Sequence, residues 1–171
     1  MTNFNLPHFE QINSQELKEY YFVEINLNGR KISIDLNFKN NIIDPSEIET
    51  IKTFLENIEK FDKQNKFYIE NDLKEEGDGE TLEYLNYYFE ELDQDEISNI
   101  INTNDLSTSK EILLFNELKL NRIGLYPDEK YGAEYYAAFD YSIDIDGRPC
   151  DQLLVVKTNE KGDLDHIAWE S

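Results

Sequence analysis

The residues best suited to chemistry in this sequence are carboxylates that gather around a turn in the last quarter of the chain. They are Asp140, Asp144, Asp146 and Asp151. The segment Ser142-x-Asp144-x-Asp146-Gly147 resembles the start of a calcium-binding loop. However, the first ligand position is Ser142, and the twelfth, which requires a bidentate Glu, is Leu153. Because Asp-Gly between two alternating segments favours a tight turn, we predict a hairpin here and no metal site.

Two histidines and one cysteine are the other side chains that often take part in catalysis. A catalytic histidine needs a nucleophile or a carboxylate beside it. His166 lies in the last predicted strand, where Asp165 and Ile167 should point to the opposite face, so we predict a structural role for it. We expect His8 to pack or hydrogen-bond beside the sheet, and Cys150 to pack inertly. We therefore predict no catalytic residue and no cofactor.

Two other functional classes stay open as alternatives. The first is a carboxylate-based metal-binding protein or hydrolase built from Asp140, Asp144 and His166. It requires these three groups to converge in a concave pocket and to have shifted pKa values. The second is a structural or scaffolding domain with no dedicated ligand. The sequence contains no Gly-rich phosphate loop, no Gly-x-Ser-x-Gly and no His-Glu-x-x-His motif.

The charge of the chain limits the partners it can have. Its 37 acidic residues outnumber 16 Lys and Arg, which leaves a net charge of -21. Nucleic acids and anionic membranes would be repelled, whereas cations, basic proteins and neutral molecules would not. About half of this charge lies in residues 70–96. This segment contains twelve acids and one base, Lys74, so its net charge is -11. Solubility alone is the simplest explanation, but dense like charge also speeds the encounter with an oppositely charged partner.

Acidic and aromatic residues together predict a surface that binds a protein partner, and the charge allows this partner to be basic. Tyrosine often contributes strongly to binding energy at interfaces. Tyr135 and Tyr136 are adjacent, so in a strand they must face opposite sides. A solvated helical face and an aromatic covering of the sheet are the structural alternatives. The predicted partner-binding residues are Glu75, Glu76, Asp78, Glu80, Glu83, Glu90, Glu91, Asp93, Tyr131, Tyr135 and Tyr136.

A hairpin near the start of the chain is the clearest structural signal. Apolar and polar residues alternate over 21–27 and again over 32–38, which is typical of strands with one buried face. Asn28-Gly29 between them favours a type I′ turn. A two-residue loop pairs positions whose numbers sum to 57. The predicted apolar pairs are Ile25 with Ile32, Val23 with Ile34, and Tyr21 with Leu36.

The remaining pattern predicts helices followed by strands. Asp44 and Pro45 should begin a helix that runs to about Phe61. Further helices are predicted over 64–74, around 82–92 and around 97–101, and strands over 112–126 (long or bulged), 137–145, 153–156 and 164–169. We therefore predict a single α+β domain over residues 1–171. Its antiparallel sheet would combine the N-terminal hairpin with four C-terminal strands, and three or four inserted helices would pack on one face.

The termini and hydropathy bear on the compartment. No apolar run approaches the ~20 residues needed to cross a bilayer. The first ten residues lack the basic and apolar regions of a signal peptide. We therefore expect a cytoplasmic protein without membrane association, and the oligomeric state stays open.

Several short motifs resemble a bacterial domain family of unknown function, DUF2004. They are Leu6-Pro7-His8-Phe9, Tyr20-Tyr21-x-Val23-Glu24, Asn28-Gly29, Ile34–Phe38, Phe139–Asp144, Asp151–Val156 and Glu170-Ser171. The resemblance covers nearly the whole chain and implies a single domain, but it implies no activity and no catalytic residues. Similar small acidic bacterial domains occur as immunity proteins beside toxins. By that analogy, the binding function could take the form of an immunity protein.

Overall fold

The computed structural model describes residues 2–75, 79–102, 104–105 and 107–171, and within them it shows an α+β fold. The strands are β1 (Asn3–Asn5), β2 (Gln11–Asn13), β3 (Tyr20–Leu27), β4 (Arg30–Asn37), β5 (Leu118–Leu125), β6 (Ala137–Ile145), β7 (Arg148–Pro149), β8 (Leu153–Thr158) and β9 (Leu164–Glu170). The helices are α1 (Pro45–Glu56), α2 (Ile58–Lys74), α3 (Glu80–Glu91), α4 (Gln94–Ile101) and α5 (Lys110–Phe115). The main sheet has the order β3-β4-β5-β6-β8-β9, β7 pairs with β6, and β1 and β2 form a separate ribbon.

The hairpin of β3 and β4 has the predicted turn and the predicted register. Asn28 and Gly29 have φ angles of 52° and 83°, as a type I′ turn requires. Ile25 pairs with Ile32, and the two other apolar pairs follow in the same register. The Asn26 side chain accepts a hydrogen bond from the Gly29 N–H at 2.9 Å, which closes the turn. Both the turn and the pairing predictions are confirmed.

The sheet is mixed, so the predicted all-antiparallel arrangement is wrong at one position. Strands β4 and β5 run parallel, with Ile34 beside Ile123 and Leu36 beside Leu125. Parallel neighbours need a long crossover connection, and here the connection carries the helices α1 to α5. The hairpin therefore joins the C-terminal strands through β4, and β3 becomes an edge strand.

The first long helical region divides into two helices at Asn57. The Asp44 carboxylate caps α1 by accepting the Ser46 N–H at 2.9 Å, as predicted. The helix ends at Glu56, because Asn57 has φ -116° and ψ 12°. Helix α2 then begins at Ile58 and runs for 17 residues. The predicted helix boundary between Phe61 and residue 64 is therefore wrong, because one buried stripe continues from Ile58 to Ile69. The helical prediction for 64–74 is confirmed, with those residues forming part of α2.

Residues 110–115 form a helix, although the sequence pattern predicts a strand there. The Ser109 hydroxyl caps α5 by accepting the Ile112 N–H at 3.3 Å. The apolar run up to Phe115 does not alternate, so it fits a short buried helix as well as a strand. Strand β5 begins only at Leu118, and its pairing with β6 shifts register after Leu120, which confirms the predicted bulge.

Helices α1, α2 and α3 pack on one face of the main sheet, as predicted. The Phe54 ring of α1 lies 6.0 Å from the Phe139 ring of β6. The Tyr141 hydroxyl of β6 donates to Asp62 of α2 at 2.7 Å. The side chains of β6 that alternate with these, including Asp140, point to the opposite side, termed here the open face. None of the described helices is long and apolar enough to cross a membrane.

Candidate functional site

An arginine on β5 holds the centre of the open face together. The Arg122 guanidinium donates to both carboxylate oxygens of Asp35 on β4, at 2.7 and 2.8 Å. It also donates to Asp140 on β6 at 3.2 Å and to the Tyr126 hydroxyl at 2.9 Å. Because β4, β5 and β6 are neighbours, this network links three strands across the sheet. Both carboxylates are almost completely buried, whereas about a third of the arginine side chain is exposed.

A glycine two residues after the arginine makes this geometry possible. A Cβ atom at Gly124 would lie 2.4 Å from a terminal nitrogen of Arg122. The guanidinium therefore lies flat across Gly124 on its way to the carboxylates. The requirement is for space rather than for an unusual backbone conformation, since Gly124 does not have a positive φ.

The buried network gives its members opposite pKa changes. Burial raises the pKa of Asp140, and the nearby Arg122 charge opposes this change without cancelling it. Burial also opposes ionisation of Arg122, but the hydrogen bonds and charge of Asp35 outweigh it and raise the Arg122 pKa. The Asn37 amide donates to Asp35 at 2.6 Å. These groups satisfy one another, which suits a rigid binding platform better than proton transfer to a substrate.

Five aromatic side chains surround the arginine and form what is termed here the open-face aromatic cluster. Its members are Tyr20, Phe22, Tyr126, Tyr131 and Tyr135. The Tyr20 and Phe22 rings stack at 6.3 Å, and the Tyr126 ring meets those of Tyr131 and Tyr135 at 6.5 and 5.6 Å. Tyr20 and Phe22 are each 52% exposed and Tyr131 is 80% exposed. Large rings are therefore accessible to a partner on this face of the sheet.

Tyr136 lies on the other side of the sheet from this cluster. Its ring is 5.5 Å from Phe54 of α1, and its hydroxyl is buried without a hydrogen-bond partner among the described residues. Burial raises the pKa of this hydroxyl. The prediction that Tyr135 and Tyr136 face opposite sides is confirmed. As a consequence, Tyr136 cannot share a binding surface with Tyr131 and Tyr135.

The predicted acidic residues lie on the helical layer, away from the aromatic cluster. Glu75, Glu83, Glu90, Glu91 and Asp93 are exposed, Glu80 is half-buried, and Glu76 and Asp78 fall outside the described residues. Helix α3 packs its Tyr84 ring 6.2 Å from Trp169 on the helix-bearing side of β9. The Asp93 carboxylate accepts the Glu96 N–H at 2.8 Å as a helix cap. The acids and the aromatics thus form two surfaces instead of the single predicted one.

The carboxylates and histidine of the alternative enzyme or metal hypothesis do not meet. Asp140 pairs with Arg122, whereas Asp144 accepts two hydrogen bonds from Arg30 at 2.8 and 2.9 Å. Asp144 and His166 line two different cavities, neither of which includes Asp140. Across the described residues, no group of three or more His, Cys, Asp or Glu side chains is arranged to hold a metal ion. The geometry therefore gives this alternative no support.

The remaining candidates have local structural contacts. A bulge in β9 at Asp165 brings its carboxylate 2.7 Å from His166 Nδ1, so the prediction that these side chains point to opposite faces is wrong. His8 is an exposed turn residue at φ 71° and does not pack beside the main sheet. Cys150 packs against the edge of the core, as predicted. Asp146 and Gly147 form the predicted hairpin turn, with φ angles of 53° and 77°.

Sequence reasoning did not identify the charged centre of the open face or the aromatic pair on β3. Asp35 is predicted only as a polar residue of an alternating strand, and Arg122 lies 87 positions further along the chain. The parallel pairing of β4 with β5 brings Asp35 and Arg122 together, and no local sequence pattern predicts that pairing. The one available signal is Gly124 inside a strand, because an interior glycine often marks a close approach of other atoms.

Comparison with known proteins adds no relative, because no family model, no curated protein and no solved structure matches this chain. The resemblance to DUF2004 accordingly stays a prediction.

Proposed function

We propose that this chain is a non-enzymatic binding domain that holds a basic protein partner against the open-face aromatic cluster. The observation that supports this function is the exposure of Tyr20, Phe22 and Tyr131 on one side of the sheet. Exposed apolar groups that gather in one area are typical of interaction sites. Tyrosine adds a hydroxyl that can bond to a partner while its ring excludes water.

The ion-pair network beneath the cluster favours binding by keeping the surface rigid. Arg122 ties three strands together, and its bond to the Tyr126 hydroxyl fixes one of the rings. The Lys157 ammonium lies 4.7 Å from the centre of the Tyr135 ring and pairs with Glu170 at 2.8 Å. Rings that are already ordered lose little conformational entropy when a partner binds. The cluster is therefore suited to a direct, well-packed contact.

The charge of the molecule favours a basic partner. The net charge is -21, and the acids of α3 and α4 face solvent on a different surface from the rings. Acids that do not touch the partner act mainly on the rate of encounter, whereas buried contacts act mainly on dissociation. The most concrete form of this proposed function is a bacterial immunity protein that neutralises a basic toxin in the cytoplasm.

The contact role of the rings can be tested once a partner has been purified with the tagged chain and identified by mass spectrometry. We expect the double change Tyr131→Ala and Tyr135→Ala to raise Kd by about tenfold or more, mainly through faster dissociation. The control is Phe67→Ala, because Phe67 is an exposed ring on α2 in the helical layer. A loss of affinity in the control equal to that in the double variant would contradict the proposed surface.

The steering role of the acids needs a separate kinetic measurement. At low salt, we expect Glu90→Lys with Glu91→Lys to slow association with the identified partner and to leave dissociation unchanged. The difference should nearly vanish at physiological salt, where screening acts over about 8 Å. The matched control is Glu49→Lys with Glu56→Lys, two exposed acids of α1. Equal slowing by both pairs would show that the acidic helices have no special part in encounter.

A further inference from the structure

A cavity of about 240 Å³ lies at one end of the main sheet, apart from the open-face aromatic cluster. It opens where the turn between β3 and β4 meets α2 and the start of β5. Its polar lining consists of Asn28, Arg30, Asp62, Lys66, Asn116 and Lys119. Three of these six side chains are cationic and one is anionic, in a chain whose acids outnumber its bases by more than two to one. The lining thus has the opposite charge balance to the molecule.

The Lys66 ammonium makes one hydrogen bond to the protein among the described residues. Its ammonium donates to the Leu118 carbonyl at 2.7 Å and lies 5.1 Å from the centre of the Tyr141 ring. A lysine ammonium has three donors and this carbonyl takes one of them, so Lys66 can still donate to a ligand in the cavity that it lines. Within the described residues, neither Lys66 nor Lys119 belongs to an ion pair with a carboxylate.

The charges around Lys66 leave the cavity with unmatched positive charge. Burial lowers the pKa of Lys66, Asp62 partly opposes this change, and the neighbouring positive charges of Lys119 and Arg30 reinforce it. Arg30 is neutralised by Asp144, to which it donates twice. Asp62 accepts the Tyr141 hydroxyl at 2.7 Å, but this neutral donor leaves its charge in place, so Asp62 balances one of the two lysines of the lining and one positive charge remains. A small anion would supply the negative charge that the protein does not.

We propose that this cavity binds a small oxyanion, a phosphate or a carboxylate group, between the ammonium groups of Lys66 and Lys119. The side-chain amides of Asn28 and Asn116 line the same cavity and carry N–H donors that suit oxygen ligands. Charge-assisted hydrogen bonds from two lysines are the strongest contribution available to such a ligand. The site is a second one, independent of the proposed protein contact on the open face.

The test is a titration of the isotopically labelled full chain with sodium phosphate, and separately with sodium acetate, at constant ionic strength near neutral pH. We expect saturable changes in the Asn28 and Asn116 side-chain amide signals with at least one of the anions, with Kd in the millimolar range. Lys66→Met should abolish saturation. Lys63→Met removes the same charge from an exposed position on the same helix and should leave Kd unchanged.

A second variant keeps the test decisive if Lys66→Met disturbs the fold. Asp62→Asn retains an acceptor for the Tyr141 hydroxyl and removes the one anionic group from the cavity lining. We expect it to lower the Kd several-fold for the anion that binds. Non-saturating changes with both phosphate and acetate would overturn the proposal. So would the same Kd in the wild type, Lys66→Met and Asp62→Asn.

Discussion

At the centre of the open face, one guanidinium donates to two carboxylates and a phenol, and each of these groups depends on the others. Asp35 and Asp140 are almost completely buried, so neither can be left charged and unpaired without a large cost. The arginine meets both because Gly124 leaves room for it to lie flat. This residue group therefore links three strands and holds the Tyr126 ring through its hydroxyl.

Gly124→Ala tests whether space at this glycine holds the network. The added methyl would displace the Arg122 guanidinium and weaken its bonds to Asp35 and Asp140. We expect the free energy of unfolding, measured by urea denaturation, to fall by about 3 kcal/mol. The same change in an Arg122→Met background should cost much less, because the displaced group is no longer present. Equal costs in the two backgrounds would contradict the mechanism.

Asp140 should make the stability depend on pH in a defined direction. Burial raises its pKa above the ordinary value of 3.8, so the folded protein binds this proton more tightly than the unfolded chain. The resulting stabilisation is complete below about pH 3.8 and is lost as pH rises through the raised folded pKa. Asp140→Asn has no such proton. The wild type should therefore lose stability relative to Asp140→Asn as pH rises above about 4 and through the raised folded pKa.

Urea denaturation of both proteins across this pH range measures the difference directly. The carboxyl signal of Asp140, followed by NMR, should move with a midpoint above 3.8. A stability difference that is constant with pH, or that grows in favour of the wild type as pH rises, would contradict the expected sign.

At the scale of the elements, the hairpin of β3 and β4 depends on a backbone conformation that few residues adopt. Gly29 has φ 83°, and a methyl group added there would meet no other atom within 4 Å, so replacing it strains the backbone without causing a clash. We expect Gly29→Ala to lower the free energy of unfolding by about 1–2 kcal/mol. Asn28→Gly, at the other turn position, should cost less than about 1 kcal/mol. Thermal unfolding of the two variants checks this order, and a larger cost at Asn28 would contradict it.

Elements with a strong local pattern could be predicted from the sequence, and those decided by distant contacts could not. The turn residues Asn28-Gly29 and the alternation of the two strands independently predict the same register, and the structure confirms it. The run Ile112–Phe115 has no alternation, and burial against the helices decides that it is helical. The parallel pairing of β4 and β5 depends on how the chain between these two strands packs together, which no local pattern encodes.

The binding surface could be predicted in part for the same reason. Composition identifies Tyr131 and Tyr135 as candidate contact residues, and the structure places both in the aromatic cluster. Tyr20 and Phe22 lie on the solvent-facing side of the alternating strand β3, but the local pattern does not show that other rings gather on the same face. The order of the strands in the sheet places these two rings on the open face beside the network of Arg122.

For the whole molecule, charge is distributed unevenly between the two layers. The charged side chains of the open face are largely paired, as in Arg122 with Asp35 and Lys157 with Glu170. The acids of α3 and α4 have few basic neighbours, and the last turn of α3 carries Glu90 and Glu91 with no basic residue. Acids at that end of a helix also oppose the helix dipole. Repulsion should therefore be concentrated in this part of the helical layer.

This distribution predicts that salt stabilises the protein and that two residues account for much of the effect. Screening of like charges should raise the melting temperature as sodium chloride increases from low to moderate concentration. At low salt, Glu90→Gln with Glu91→Gln should raise the free energy of unfolding by about 1 kcal/mol and flatten the salt dependence. Glu49→Gln with Glu56→Gln removes the same charge from α1, where Lys52 lies between the two acids, and should change both quantities less. If the two pairs behave alike, the repulsion is spread over the whole surface, and the concentration of acids on α3 has no energetic consequence.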